Sequence, residues 1–188
     1  MRIIVGISGA SGAILGIELL KALRGHSQCE SHLIVSEGAR KTLAAETNMQ
    51  LEEVFSLADY NYDAKNMAAL ISSGSFETDG MVIVPCSMKT LAAVAHGYAD
   101  NLLVRAADVC MKENRKVILV PRETPFSKIH LKNLLEASNC GCTIVPPVLT
   151  FYNNPKTIQD QVNHIVGKIL MQLGLEHSTF SPWKGESG

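Results

Sequence analysis

Three short polar segments carry residue types that bind and protonate anions, and each follows an apolar run: Gly9-Ala10-Ser11-Gly12, Pro85-Cys86-Ser87-Met88-Lys89-Thr90 and Pro121-Arg122-Glu123-Thr124-Pro125. In the first, glycines let backbone N–H groups approach a phosphate at a helix N-terminus, and Ser8 and Ser11 add hydroxyl donors. In the second, Ser87, Lys89 and Thr90 repeat that donor chemistry; a plain serine cap accounts for Ser87 but not for the cluster. In the third, Arg122 can clamp a phosphate through two N–H groups while Glu123 exchanges a proton with a phosphate oxygen. An Arg122–Glu123 ion pair is the structural alternative. Cys86 differs from Cys29, Cys110, Cys140 and Cys142, which read as small buried apolar residues, because it lies inside a motif.

These segments meet only if the runs before them are neighbouring strands. Apolar patterning predicts strands over 2–8, 31–36, 81–84, 116–120 and 143–145. Helices are predicted over 13–23, 38–46, 91–96, 101–114, 128–138 and 158–173, with short ones at 51–57 and 67–71. Strands and helices alternate, so the expected fold is α/β, a single-domain Rossmann-like or flavodoxin-like doubly wound parallel sheet with right-handed crossovers. Residues 1–175 form the expected domain, and 176–188 a tail that packs over a site or a neighbouring subunit. In such a sheet the ligand crevice lies beyond the carboxyl ends of the strands, which is where all three motifs fall.

The net charge of −1 argues against nucleic acid or an anionic membrane held by bulk electrostatics. No apolar stretch approaches the roughly 20 residues of a membrane span, and the chain starts on a strand rather than a leader, so a cytoplasmic address is expected. The cysteines form no CxxC pair and no zinc-type spacing with histidine, and His32, His96, His130 and His164 show no ligand spacing; no metal is assigned. The glycine turn departs from G-x-G-x-x-G, and Ser36 stands where a dinucleotide enzyme places an acidic residue, with Glu37 following. A mononucleotide fits better. Singly, Arg105 and Lys112 on one helix face, Tyr152, Lys168 and Glu46 read as surface or half-buried groups.

GISGASGA, SSGSF, PCSMKTLA, ADNLLVRAADVCMKE, VPRETP, IHLKNLL and FYNNP, in this order, resemble the UbiX-type flavin prenyltransferases, formerly the small subunits of UbiD-type aromatic acid decarboxylases. The resemblance spans almost the whole chain. It implies a cytoplasmic flavoprotein, a homo-oligomer built as a dodecamer of trimers, with each site at a subunit interface. It implies metal-independent transfer of a dimethylallyl group from dimethylallyl monophosphate to N5 and then C6 of reduced FMN. Prenylated FMN, the product, would serve a UbiD-type decarboxylase. The choice between monophosphate and diphosphate donors stays open.

By the same resemblance, FMN is held by Gly9, Ala10, Ser11, Ser36, Ser87, Met88, Lys89, Thr90 and Arg122. The donor is held by Arg105 (from a neighbouring subunit), Lys112, Arg122, Glu123, Tyr152 and Lys168, with Ser73 lining the prenyl pocket and Trp183 closing over it. Glu123 handles protons with the phosphate, and Ser11 and Glu46 form a catalytic pair near N5. Lys168 stands where the family often has arginine, which keeps the charge and loses the fork. Two other readings compete: a non-catalytic FMN-binding subunit, and a flavin-dependent cysteine decarboxylase using Cys86.

Overall fold

The computed structural model describes residues 1–177 and Phe180. They form a six-stranded, wholly parallel sheet of β1 (Arg2–Ile7), β2 (Glu30–Val35), β3 (Tyr60–Asp63), β4 (Gly80–Cys86), β5 (Lys116–Pro121) and β6 (Thr143–Ile144), in the order β3-β2-β1-β4-β5-β6. The chain leaves β1 toward one edge and returns past it to β4, so the topological switch lies between β1 and β4. The doubly wound α/β fold is thus present.

Because both faces are covered, the central strands are near-continuous apolar runs, and alternation decides which layer each side chain joins. Ile3, Val5, Ile7, Val82, Val84, Ile118 and Val120 point to the layer of α1 (Ala13–Arg24) and α7 (Ile158–Leu173). Ile4, Met81, Ile83, Val117 and Leu119 point to α4 (Met88–Ala95), α5 (Leu102–Lys112) and α6 (Lys128–Asn139). At Gly16 the backbone of α1 meets β4 so closely that a Cβ there would lie 2.7 Å from the Val84 carbonyl oxygen.

Two elements differ from expectation. β3 lies where no element was predicted: its sequence, Tyr-Asn-Tyr-Asp, has no apolar run, and it is a strand through its pairing with β2 at the sheet edge. The helix expected over 67–71 is instead a 3-10 turn, Leu70–Ser72. Two more helices, α2 (Glu37–Glu46) and α3 (Leu51–Phe55), lie near their expected ranges. Ser36, Ser87 and Asn101 accept the N3 amide at the starts of α2, α4 and α5. All three helices therefore open, positive end first, at the carboxyl edge of the sheet.

Candidate active site

The ends of β1 and β4 are stitched together before any ligand is considered. Ser8, 1% exposed, donates from Oγ to the Pro85 carbonyl (2.8 Å) and accepts from the Ser87 amide (2.7 Å). Its hydroxyl is thereby spent inside the fold, which corrects the expectation that it faces a ligand. Ser87 Oγ accepts from Thr90 N (3.2 Å) and donates to Thr90 Oγ1 (3.0 Å), so part of its role is the plain cap. Met88 turns its side chain toward the core, which leaves its backbone for any contact in the crevice.

Beyond these strand ends lies a cavity of about 570 Å3, lined among others by Gly9, Ser36, Gly38, Ser87, Lys89, Thr90 and Asn101. Its size is that of a small-molecule pocket, roughly 300–1,000 Å3. The residues fit a flavin mononucleotide. Helix N-termini and the Lys89 ammonium suit a phosphate, while Asp63, Asp100 and Asn101 supply acceptors for a polyol chain. Arg40, Asp63, Lys65, Asp100 and Asn101 were not singled out in the sequence. Only Asn101, as a cap before an apolar helix, carried a local signal.

Beside the cavity, the N-terminus of α1 is closed by a side chain. Gly12, at φ 98°, is the N-cap residue and offers no cap of its own. Glu46, from the last turn of α2, fills the place: its Oε2 accepts from Gly12 N (2.8 Å) and Ala13 N (3.0 Å). Burial pushes the Glu46 carboxyl up, but the Ser11 hydroxyl, these two amides and the Arg122 charge outweigh it, and the net effect is a lowered pKa. Ser11, Glu46 and Arg122 thus share one electrostatic neighbourhood. The first anion seat of the fold holds a resident carboxylate, so an incoming phosphate must use the others.

Arg122 follows β5 directly, its amide bonded to the Cys86 carbonyl (3.1 Å), and its side chain is exposed. No ion pair joins it to Glu123 among the described residues. The Glu123 carboxylate accepts instead from the Thr124 amide (2.9 Å) and faces outward. The structural alternative weighed for this motif is therefore not what forms. Cys86 is fully buried, and burial raises its thiol far above the range in which a thiolate forms. It is not a reactive group, which removes the observation that favoured a cysteine decarboxylase.

The remaining candidates sit elsewhere on the chain. α5 begins at the cavity and runs back along the sheet, so Lys112, at its end, lies near the start of β5. Arg122 follows the far end of that strand, about 20 Å away at ~3.3 Å per residue. The Lys112 ammonium pairs with Glu113. Arg105 donates to the Ser72 carbonyl (3.2 Å) and pairs with Asp108 (2.6 Å), and Ser73 is exposed on the loop beside it. One chain therefore does not gather Lys112 and Arg122 into one cation cluster, contrary to a literal reading of the motifs.

Tyr152 and Lys168 form a third group, on and beside α7. The Tyr152 hydroxyl lies 3.4 Å from His164 Nε2, and the Lys168 ammonium 5.4 Å over the ring of Phe180. Burial, then the Lys168 charge, lowers the His164 pKa, which favours the neutral ring and its acceptor nitrogen. His164 had no assigned role in the sequence; its i, i+4 spacing to Lys168 was the available signal. Trp183 lies outside the described residues. Among those residues, no group of three His, Cys, Asp or Glu side chains is arranged to hold a metal ion, and no helix is long and apolar enough to cross a membrane.

Fold and crevice together define a class, and comparison with known proteins agrees: the Flavoprotein family model matches residues 1–174. The chain belongs to this family, as one of its UbiX-like flavin prenyltransferases. A probable UbiX-like flavin prenyltransferase of Sedimentibacter hydroxybenzoicus is 62% identical over 185 residues, 98% of each chain. Among solved structures, a dodecameric FMN-dependent UbiX-like decarboxylase from Escherichia coli O157:H7 superposes with a TM-score of 0.97. It is 51% identical, and the match covers 98% of this chain and 100% of that one. AnUbiX, solved with FMN and dimethylallyl pyrophosphate, gives 0.96 at 47% identity over 99% and 98% of the two chains.

Proposed function

We infer that the protein is a flavin prenyltransferase, which joins a dimethylallyl group to N5 and C6 of reduced FMN. The observation that carries this reading is the carboxyl-edge cavity, built on three helix N-termini, in a chain full-length similar to flavin prenyltransferases; Arg122 and Glu123 follow β5 at the same edge of the sheet. Bound FMN supplies the nucleophilic nitrogen; the protein must position it and draw off the phosphate.

In this reading Gly9, Ala10, Ser11, Ser36 and the Ser87–Thr90 segment hold the flavin, Met88 through its backbone. Glu46 orients Ser11 and the first amides of α1 beside the reacting nitrogen, and its ionised state is favoured by their donors. Arg122 neutralises charge on the departing phosphate, and Glu123 returns a proton to it. Lys112, Tyr152, Lys168 and Arg105 complete the cation and hydroxyl set where a metal would otherwise sit, with Ser73 and Trp183 around the prenyl chain.

Because Lys112 lies a strand's length from Arg122, the set closes only when copies of the chain meet. Support for a homo-oligomer, of the kind seen in the dodecameric neighbour, comes from large apolar side chains left exposed in one chain: Ile129, Leu131 and Leu135 on α6, and Val148, Leu149 and Phe151 before α7. The same reading takes residues 1–175 as the catalytic domain and 176–188 as a cover. Phe180, packed at 5.2 Å from the His164 ring, supports that path for the tail. It sets the work in the cytoplasm, which five free cysteines suit, with a UbiD-type decarboxylase receiving the product.

The test is anaerobic incubation with reduced FMN and dimethylallyl monophosphate, then mass spectrometry of the released flavin. A flavin heavier by one C5 prenyl unit is expected. Unmodified FMN with both the monophosphate and the diphosphate would leave only the non-catalytic flavin-binding reading.

A further inference from the structure

From Ser72, the last residue of the 3-10 turn, the chain runs through 73–76 toward β4 without helix or strand assignment. Three alternate carbonyls are nevertheless held. Arg105 Nε donates to the Ser72 carbonyl (3.2 Å), and Arg115 donates through Nη2 to Gly74 (2.7 Å) and through Nη1 to Phe76 (2.8 Å). Arg115 follows α5 by three residues and is itself fixed by its amide on the Cys110 carbonyl (2.8 Å). Half-buried, it spans two turns of loop with one planar fork, a geometry that a lysine cannot reproduce.

The loop in turn bears on Lys112. The ends of two long side chains rest against Gly74: a Cβ there would meet Glu113 Oε1 and lie 2.8 Å from the Lys112 ammonium, so both side chains would have to swing aside. Ser73, one residue earlier, is exposed. The Lys112 ammonium thus rests, with Glu113, against the loop backbone next to Ser73, and that backbone is held by two guanidinium groups.

We propose that Arg115 is a positioning residue for the prenyl donor: it sets the loop so that Ser73 and Lys112 are presented together on the face that one copy offers to another copy's site. This rests on the flavin prenyltransferase reading and on the composite site. Arg115 touches neither flavin nor donor in this account. It acts through the loop, so its loss should alter donor binding while the flavin cavity, at the opposite edge of the sheet, is unaffected.

The experiment uses the full-length oligomer, with mass checked by light scattering, and compares wild type, Arg115→Met, Arg115→Lys and Gly74→Ala. For Arg115→Met the KM for dimethylallyl monophosphate should rise roughly tenfold or more, as a displacement near 1 Å in a binding group can produce. FMN affinity should be unchanged, and amides of 73–76 should exchange faster. Arg115→Lys should recover only part of the KM. Gly74→Ala, which leaves Arg115 in place and displaces Lys112, should reproduce the KM rise. If Arg115→Met does not assemble, Arg115→Lys decides. Unchanged donor KM in the variants that assemble overturns the proposal, and a lowered melting temperature alongside it would mean a structural brace alone. A wild type that leaves FMN unmodified overturns the proposal and the reading beneath it together, an outcome visible before any variant is measured.

Discussion

At Glu46 one carboxylate does the work of a helix cap and holds the neighbourhood of Ser11. Its folded pKa is lowered from 4.5, so the contact adds stability above that value and loses it as the pH falls through the folded pKa. Replacing it by glutamine should therefore lower the urea midpoint at about pH 7, with the gap to wild type closing as the pH falls below 4.5 and through the folded pKa. A gap that stays constant across that range would show that the charge is not what the α1 amides use. Glu123→Gln bears on chemistry rather than folding. It should leave FMN affinity intact and slow prenyl transfer by roughly a hundredfold, as expected when a proton-transfer group is lost; single-turnover kinetics would show this.

The motifs are legible because each is a break at the end of an apolar run, and a parallel sheet turns such breaks into one edge. Elements whose existence depends on a partner were not. The Tyr60–Asp63 strand has no pattern of its own and exists through its pairing with β2, and in place of the helix expected over 67–71 there is a 3-10 turn, Leu70–Ser72, after which the backbone carbonyls are held by Arg105 and Arg115. α4 starts three residues before its expected range since Ser87 caps it, a choice made by a hydroxyl and not by hydrophobic period. Close packing of elements is equally specific. Gly16→Ala forces α1 away from β4 at the Val84 carbonyl and should cost about 1–3 kcal/mol in urea unfolding, as overpacking does in a filled core.

In the whole molecule, the distance between Lys112 and Arg122 has a direct consequence. If sites are shared between copies, Lys112→Ala chains mixed with Glu123→Gln chains, each impaired alone, then dissociated and reassembled, should gain activity above either, because roughly a quarter of random sites combine two intact contributions. Sites confined to one chain would gain nothing in the mixture, and prenylated flavin formed per chain reads the difference. The exposed apolar residues of α6 and the 148–151 segment fall on the same account, since a chain that worked alone would have reason to cover them.

Sequence alone determined the alternating α/β order, the three polar strand ends and the resemblance that names their ligands, since these depend on local pattern and on residue type. Tertiary structure decided which of the candidates meet. It put Ser8 and Cys86 out of reach by burial, closed the α1 N-terminus with a carboxylate 34 residues away in the chain, and set Lys112 at the opposite edge from Arg122. Residue spacing records neither the direction in which a helix runs back along a sheet nor which hydroxyl a backbone amide will claim.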